Sequence, residues 1–310
     1  MSFLSAIRST LHAAAMKSLT VQSPAKINLF LKILGKRRDG YHEIVTLFHR
    51  ISLADTLILK KIPSGIRIRT NVSSLPTGSR NILWKAFHLL GEEIALPGGV
   101  SVNLKKQIPI GAGLGGGSSN AASFLLGFKR LYRLRISKEK LLAMGAKLGA
   151  DVNFFLLGVN QALGWGAGEK LSAHLNQKRL WFVLVAMPAS LPTRKVYRNY
   201  RPSKDASGGL PFLTKGNRVV KLPYCFRNGE AGKITSFLVN DLQETSARFY
   251  PPIRKTLRFF EQLGVRAALM SGSGPTVFAV MENRREALRL RKAARKHLRT
   301  YKKIFISHTW

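Results

Sequence analysis

Between Ile108 and Ala122 the chain reads I-P-I-G-A-G-L-G-G-G-S-S-N-A-A, with five glycines from Gly111 to Gly117 and then Ser118 and Ser119. Glycine has no Cβ, so its backbone takes positive φ and approaches a ligand closely. Successive amide N–H groups in such a loop point into one hollow, and a helix that follows adds the positive end of its dipole. That is the chemistry of a phosphate cradle. Moving a phosphoryl group also calls for an orienting carboxylate and a nearby cation. Acids are scarce, 15 against 51 Lys plus Arg, which narrows the search. Asp151 sits in G-A-D-V-N-F-F-L, between a Gly-Ala turn and an apolar segment, where a carboxylate either caps a helix or serves a site. Lys26, in P-A-K-I-N-L, is a lone cation at an apolar strand start, and it either snorkels outward or serves the same site.

The loop is not one of the commoner cradles. A P-loop needs G-x-x-x-x-G-K-[ST], and no Lys follows these glycines. Gly111, Gly113 and Gly116 match G-x-G-x-x-G, but a dinucleotide fold needs an acid about 20 residues on, and Ile136 to Lys138 offers none. The H-R-D and D-F-G elements of protein kinases are absent.

The elements that must carry these residues follow from local pattern. T-V-Q-S and P-A-K-I-N-L-F-L-K-I-L read as strand, with Ile27, Leu29 and Leu31 alternating with Asn28, Phe30 and Lys32. Asp39-Gly40 signals a turn, followed by two strand-like runs, E-I-V-T-L-F-H-R-I-S-L and D-T-L-I-L-K-K-I. I-R-I-R-T is a further strand, and Asn81 to Glu93 has helical spacing. V-S-V-N-L-K-K-Q-I-P-I is a strand feeding the glycine loop, with a helix expected from Ser119 to about Leu134. Ser137 suits an N-cap for a helix to Leu148. W-F-V-L-V-A-M-P is a continuous apolar strand beyond a polar stretch from His174 to Arg179, the candidate linker. Ser203 to Asn217 reads as a mobile loop, and Asn240 to Leu263 as largely helical. R-A-A-L-M-S-G-S-G-P-T-V-F-A-V-M is strand, glycine turn, strand; a basic helix from Glu282 to Leu298 and a last strand, K-K-I-F-I-S-H-T, close the chain. Mixed blocks of strands and helices indicate an α+β class.

A length of 310 residues suggests two domains or one large one, and a hydrophobic share of 45% supports ordinary cores. No apolar run is long enough for a transmembrane helix. The single Cys225 builds no disulfide framework and fits a reducing, cytoplasmic compartment. The formal charge of +36 is spread along the chain, which favours a solvated basic surface and attraction of anionic small molecules over a dedicated nucleic-acid module. Residues 1–16 are Ser- and Ala-rich with Arg8 and no acid; they resemble a transit peptide, but an overlong start with Met16 as initiator, or a short arm, is the expectation.

P-A-K-I-N-L-F-L, D-G-Y-H, the glycine loop, G-A-D-V-N-F-F-L and S-G-S-G-P-T-V-F-A, in that order, resemble the GHMP kinases over roughly residues 18 to 308. The first two segments point to the members acting on 4-diphosphocytidyl-2-C-methyl-D-erythritol in non-mevalonate isoprenoid biosynthesis. The resemblance implies a two-domain α+β GHMP kinase fold: a ribosomal protein S5 domain 2-like part over residues 17–173 and a ferredoxin-like part over 174–310. It implies ATP on Pro109, Ile110, Gly111, Ala112, Gly113, Leu114, Gly115, Gly116, Gly117, Ser118 and Ser119, with Asn81 near the adenine and Mg²⁺ carried by the nucleotide. Asp151 would take or orient the proton of the acceptor 2-hydroxyl, with Lys26 paired to it. Asn28 and His42 would hydrogen-bond the cytosine, Tyr41 would stack on it, and Tyr197 would cover the opposite face. Thr193 and the turn Ser271, Gly272, Ser273, Gly274 would close the site. A cytoplasmic monomer or homodimer with no membrane or specific nucleic-acid partner completes the expectation. Taken without the resemblance, Tyr41 and His42 read as ordinary turn residues. Asn120 stands where the resemblance leads one to expect Asp, and Asn153 where it leads one to expect Pro. The alternatives are a GHMP kinase for another small alcohol, such as mevalonate or homoserine, and a basic RNA-binding protein.

Overall fold

A computed structural model describes residues 16–174, 179–202, 213–214, 218–219, 237–301 and 303–310. The N-terminal extension up to residue 15, most of the candidate linker, most of the 203–217 loop and Cys225 lie outside the described residues.

Two long strands form the spine. β1 (Ser18–Lys36) and β2 (His42–Ile62) pair antiparallel along their length, so the runs read as separate strands in the sequence are continuous. Pro24 is accommodated because the register slips between Pro24 and Ala25; a bulge is where a strand tolerates proline. A second slip between Asn28 and Phe30 breaks the expected alternation, and both Leu29 and Phe30 enter one core. β3 (Ile66–Thr70) follows, then α1 (Ile82–Glu93), capped by the Asn81 side chain on Leu83 N–H at 2.9 Å. β4 (Gly99–Lys105) leads into the glycine loop and α2 (Gly116–Leu131). This helix starts three residues earlier than expected, because the last glycines already belong to its first turn. It ends at Leu131, short of the expected Leu134, with Arg133 at φ 54° just beyond. α3 (Lys138–Leu148) has its Ser137 cap, and α4 (Val152–Leu156) is a short helix headed by Asp151.

β5 (Gln161–Gly166) and β6 (Lys170–His174) complete this part of the first sheet, with β5 on the first half of β2 and β4 on its second half. β7 (Trp181–Ala186), α5 (Thr193–Arg198) and a small pair, β8 (Leu213–Thr214) with β9 (Arg218–Val219), come next. β10 (Val239–Asn240) returns to the first sheet, parallel to β1. Then follow α6 (Gln243–Phe249), α7 (Pro252–Gln262), β11 (Ala268–Met270), β12 (Val277–Met281), α8 (Arg284–His297) and β13 (Lys303–His308). The second sheet runs β11-β12-β7-β13, antiparallel throughout: the ferredoxin-like order.

Four layers result. α1 to α4 cover one face of the first sheet around Phe124, Phe128 and Phe154. The two sheets face each other through Ile27, Leu29, Leu47, Ile51, Phe182, Leu184 and Phe278, and Ala112 and Leu114 of the glycine loop join this middle core. α6, α7 and α8 cover the far face of the second sheet. Ala25, Ile27 and Leu29 face the second sheet, which leaves the intervening Lys26 on the helix side. Among the described residues no helix is long and apolar enough to cross a membrane.

Candidate active site

The glycine loop is held open by its backbone. Gly111, Gly113 and Gly115 all have positive φ, at 66°, 76° and 67°. A side chain at Gly113 would strike the Ser271 carbonyl oxygen of the second glycine turn. The two turns therefore touch backbone to backbone: the Ser271 hydroxyl donates to Gly113 O at 3.0 Å, and Thr276 N–H to Ala112 O at 3.4 Å. Lys26 N–H donates to Leu114 O at 3.0 Å, which fixes the loop against β1.

Lys26 is buried, and its ammonium lies 3.4 Å from Asp151 Oδ2. It also donates to Asn28 Oδ1 at 2.7 Å, and Asn28 Nδ2 donates to Thr46 Oγ1 at 2.7 Å. Asn28 was expected at the cytosine. Both ends of its buried amide make a bond within the protein, one of them to the Lys26 ammonium, and it lines the same cleft. Asp151 occupies the N-cap position of α4 yet makes no side-chain cap bond; its carboxylate turns to Lys26 and is 30% exposed. That geometry turns the carboxylate away from the cap and into the cleft.

One cleft of about 1220 Å³ gathers most of the expected residues. Lys26, Asn28, Tyr41, His42, Asn81, Pro109 to Ser118, Asp151, Thr193, Tyr197, Gly272 and Ser273 all line it. Thr193 and Ser273 hydroxyls meet at 2.9 Å, tying α5 to the second glycine turn. At one end Asn81 spends its side chain on capping α1 and on Pro76 O, at 2.6 Å, so it shapes the wall. At the other end the His42 and Tyr197 rings lie 5.4 Å apart, with Tyr200 edge-on to His42 at 6.4 Å. Tyr41 is 63% exposed at the rim. Burial, then the Lys36 charge, holds His42 below the usual imidazole range. The Tyr197 phenol is pushed well up, first by burial and then by the Asp151 charge.

Three expected residues stand behind the cleft instead of lining it. Ser119 is fully buried and accepts from the Ser23 hydroxyl at 2.8 Å; Ser271 is spent on Gly113; Gly274 takes φ 80° to close its turn. Successive side chains on a helix or turn point in different directions, so a run of motif residues cannot all face a ligand.

Sequence reasoning missed the polar layer under the loop. Asp55 is completely buried and accepts from Gln107 N–H at 2.7 Å, Ile108 N–H at 2.8 Å, Asn120 Nδ2 at 2.9 Å and the Lys106 ammonium. Asn120 also donates to Ser23 Oγ at 2.9 Å. An Asp at 120 would set a second carboxylate against Asp55 over one lysine, and like charges in a buried site oppose each other. The missing acid is therefore what this network requires. The available signal was Asp55 itself, one of few acids, inside an apolar strand. Tyr200 was missed as well; its hydroxyl donates to Asp241 at 3.4 Å, and burial with the Asp241 charge pushes it to about 12.

Family models match the chain twice, GHMP kinases N terminal domain over residues 81–159 and GHMP kinases C terminal over 226–300. The 4-diphosphocytidyl-2-C-methyl-D-erythritol kinase of Syntrophus aciditrophicus (strain SB) is 38% identical over 87% of this chain and 92% of its own length. The like-named protein of Moorella thermoacetica is 37% identical over 95% of this chain and 100% of its own. The chain belongs to this kinase family. A crystal structure of a 4-(cytidine 5'-diphospho)-2C-methyl-D-erythritol kinase superposes with a TM-score of 0.78 at 36% identity, covering 94% of this chain and 98% of that one. This member of the family thus carries the two-part GHMP kinase fold through both sheets.

Proposed function

We infer that the chain transfers the terminal phosphoryl group of ATP to the 2-hydroxyl of 4-diphosphocytidyl-2-C-methyl-D-erythritol, a step of non-mevalonate isoprenoid-precursor formation. The observation that carries the reading is the Lys26–Asp151 pair, in the same cleft as the positive-φ glycine loop at one end and the His42–Tyr197 aromatic wall at the other. Phosphoryl transfer depends on positioning and charge neutralisation, with little covalent work for the protein. Asp151 takes the acceptor proton as the oxygen bonds to phosphorus. Lys26, steered by Asn28, balances the charge that develops on the moving group. The loop amides from Gly111 to Ser118 hold the phosphates, and Tyr197, neutral beside Asp151, walls off the acceptor side.

At the far end, neutral His42 can exchange hydrogen bonds with a base edge, and exposed Tyr41 can lie on its π face. Among the described residues there is no cluster of three His, Cys, Asp or Glu that could hold a metal. The cleft offers the Asp151 carboxylate and the Ser118 hydroxyl, a donor set that fits Mg²⁺ arriving on ATP phosphates with its own waters. Bound there, the ion would neutralise phosphate charge. The chain acts on this small molecule as a soluble cytoplasmic enzyme, alone or as a homodimer.

A substrate panel tests the reading. Purified protein with Mg·ATP should release ADP with the cytidylated methylerythritol and remain at background with mevalonate or homoserine. Turnover of either simple alcohol at a comparable kcat/KM would overturn the acceptor assignment.

A further inference from the structure

Arg50 is a buried arginine with no carboxylate bridging it among the described residues. It is 7% exposed, and its Nε has no hydrogen-bond partner. A guanidinium placed this way loses hydration without the usual compensation. Burial lowers its pKa to about 10, so the group is still charged at neutral pH. Its partners are specific: Nη2 donates to Phe154 O at 3.3 Å and to Phe155 O at 3.1 Å, and the guanidinium sits over the Phe154 and Phe155 rings at 5.5 and 5.8 Å.

Those carbonyls lie at the C-terminal end of α4, the helix headed by Asp151. Phe155 O also accepts from Gly158 N–H at 3.3 Å, and a cation is favoured at the carbonyl end of a helix. A helix of five residues has too few internal bonds to hold its own direction. Arg50 is also the direct cross-strand partner of Lys26 in the β1–β2 ladder. Cross-strand partners project from the same face. One rung of the sheet thus supports both poles of α4: Lys26 meets the Asp151 carboxylate, and Arg50 meets the terminal carbonyls. The space between is filled by Phe48, stacked on Phe154 at 5.1 Å and lying under the Lys26 ammonium at 5.6 Å.

We propose that Arg50 is a positioning residue: it clamps the carbonyl end of α4 to the strand pair and thereby sets the aim of Asp151 at the acceptor hydroxyl. It touches no substrate. The inference rests on the kinase reading above, because it presumes that Asp151 handles the acceptor proton.

The test is a double-mutant cycle in full-length protein, with kcat and both KM values measured on Mg·ATP and the cytidylated methylerythritol. Arg50→Met should lower kcat by about 10- to 100-fold, the scale of a sub-ångström to 1 Å misplacement, and move KM for ATP by less than about 3-fold. In an Asp151→Asn background the same change should have no further effect on the residual rate, because there is no carboxylate left to aim. A general loss of folded protein would instead reduce both backgrounds by one factor. That result, or a wild-type kcat in folded Arg50→Met, overturns the proposal. Should Arg50→Met fail to fold, Arg50→Lys carries the same cycle, since an ammonium keeps the charge but loses the planar fork. Wild-type activity separates the claims. An inactive wild type overturns the acceptor reading and this inference with it; an active wild type with additive losses overturns the inference alone.

Discussion

Asp151 and Lys26 lie 3.4 Å apart, yet they come from elements 125 positions apart in the chain, counted from their numbers, and neither makes the bond its local setting offers. Asp151 could cap α4 and does not; Lys26 could snorkel to solvent and is buried. Asp151 thereby forgoes a local stabilisation of roughly 1 kcal/mol that a cap would contribute. Asp151→Asn keeps the size and the backbone and removes the basic oxygen. Its kcat should fall by at least about 10²-fold, the lower range for a positioned acid/base group, with KM for ATP little changed. Near-normal turnover would end the proton-transfer role. Both residues were legible as candidates in the sequence, because a lone acid after Gly-Ala and a lone lysine in an apolar strand stand out. Their pairing came only with the family resemblance, and the bonds of Asn28 to Lys26 and Thr46 had no local signal, since Thr46 lies on another strand.

At the scale of elements, the glycine loop separates two uses of glycine. Gly113 has positive φ and no room, with Ser271 O against it, whereas Gly117 is helical and faces open space. Gly113→Ala should destabilise the contact between the two glycine turns and lower thermal stability. Gly117→Ala should fold with equal or higher Tm, since alanine favours a helix by about 1 kcal/mol over glycine. If ATP phosphates rest on this first turn, its methyl group raises KM for ATP; unchanged ATP affinity would move the cradle elsewhere. Strand β2 carries a second test. His49 is fully buried, with Nε2 3.1 Å from Thr309 Oγ1, and burial lowers it from 6.5 to about 3. The unfolded imidazole binds a proton below about pH 6.5 while the native one does not. Stability from this group is therefore complete above pH 6.5 and is lost as pH falls toward 3, at up to ~1.4 kcal/mol per pH unit. Urea unfolding at pH 7 and pH 5 should show the drop, and His49→Leu should flatten it by one proton.

For the whole molecule, the charge of +36 surrounds a cleft whose proposed ligands are both anionic. Such a field raises encounter rates with anions and is screened over about 10 Å at 0.1 M salt. kcat/KM should fall as salt rises from 0.05 to about 0.2 M, with kcat nearly constant. Any RNA binding should be sequence-indifferent and fade over the same interval, because counterion release makes phosphate contacts steeply salt-dependent. Selective RNA binding that survives about 0.2 M salt would point to a second function.

What the sequence determined by itself was local: the glycine loop, from glycine spacing; most strands and helices, from periodicity; and the family, from five short segments in order. Turn chemistry and apolar period act within a few residues, so they can be read there. The tertiary structure decided which of those residues face the cleft. It turned Ser119 and Ser271 inward, joined the two glycine turns, and built the Asp55–Lys106–Asn120 layer under the loop. It also set Arg50 opposite Lys26 in the strand pair and against the Phe154 and Phe155 carbonyls of α4. Each of those outcomes depends on strand register and layer packing over long separations, where no spacing in the chain carries the signal.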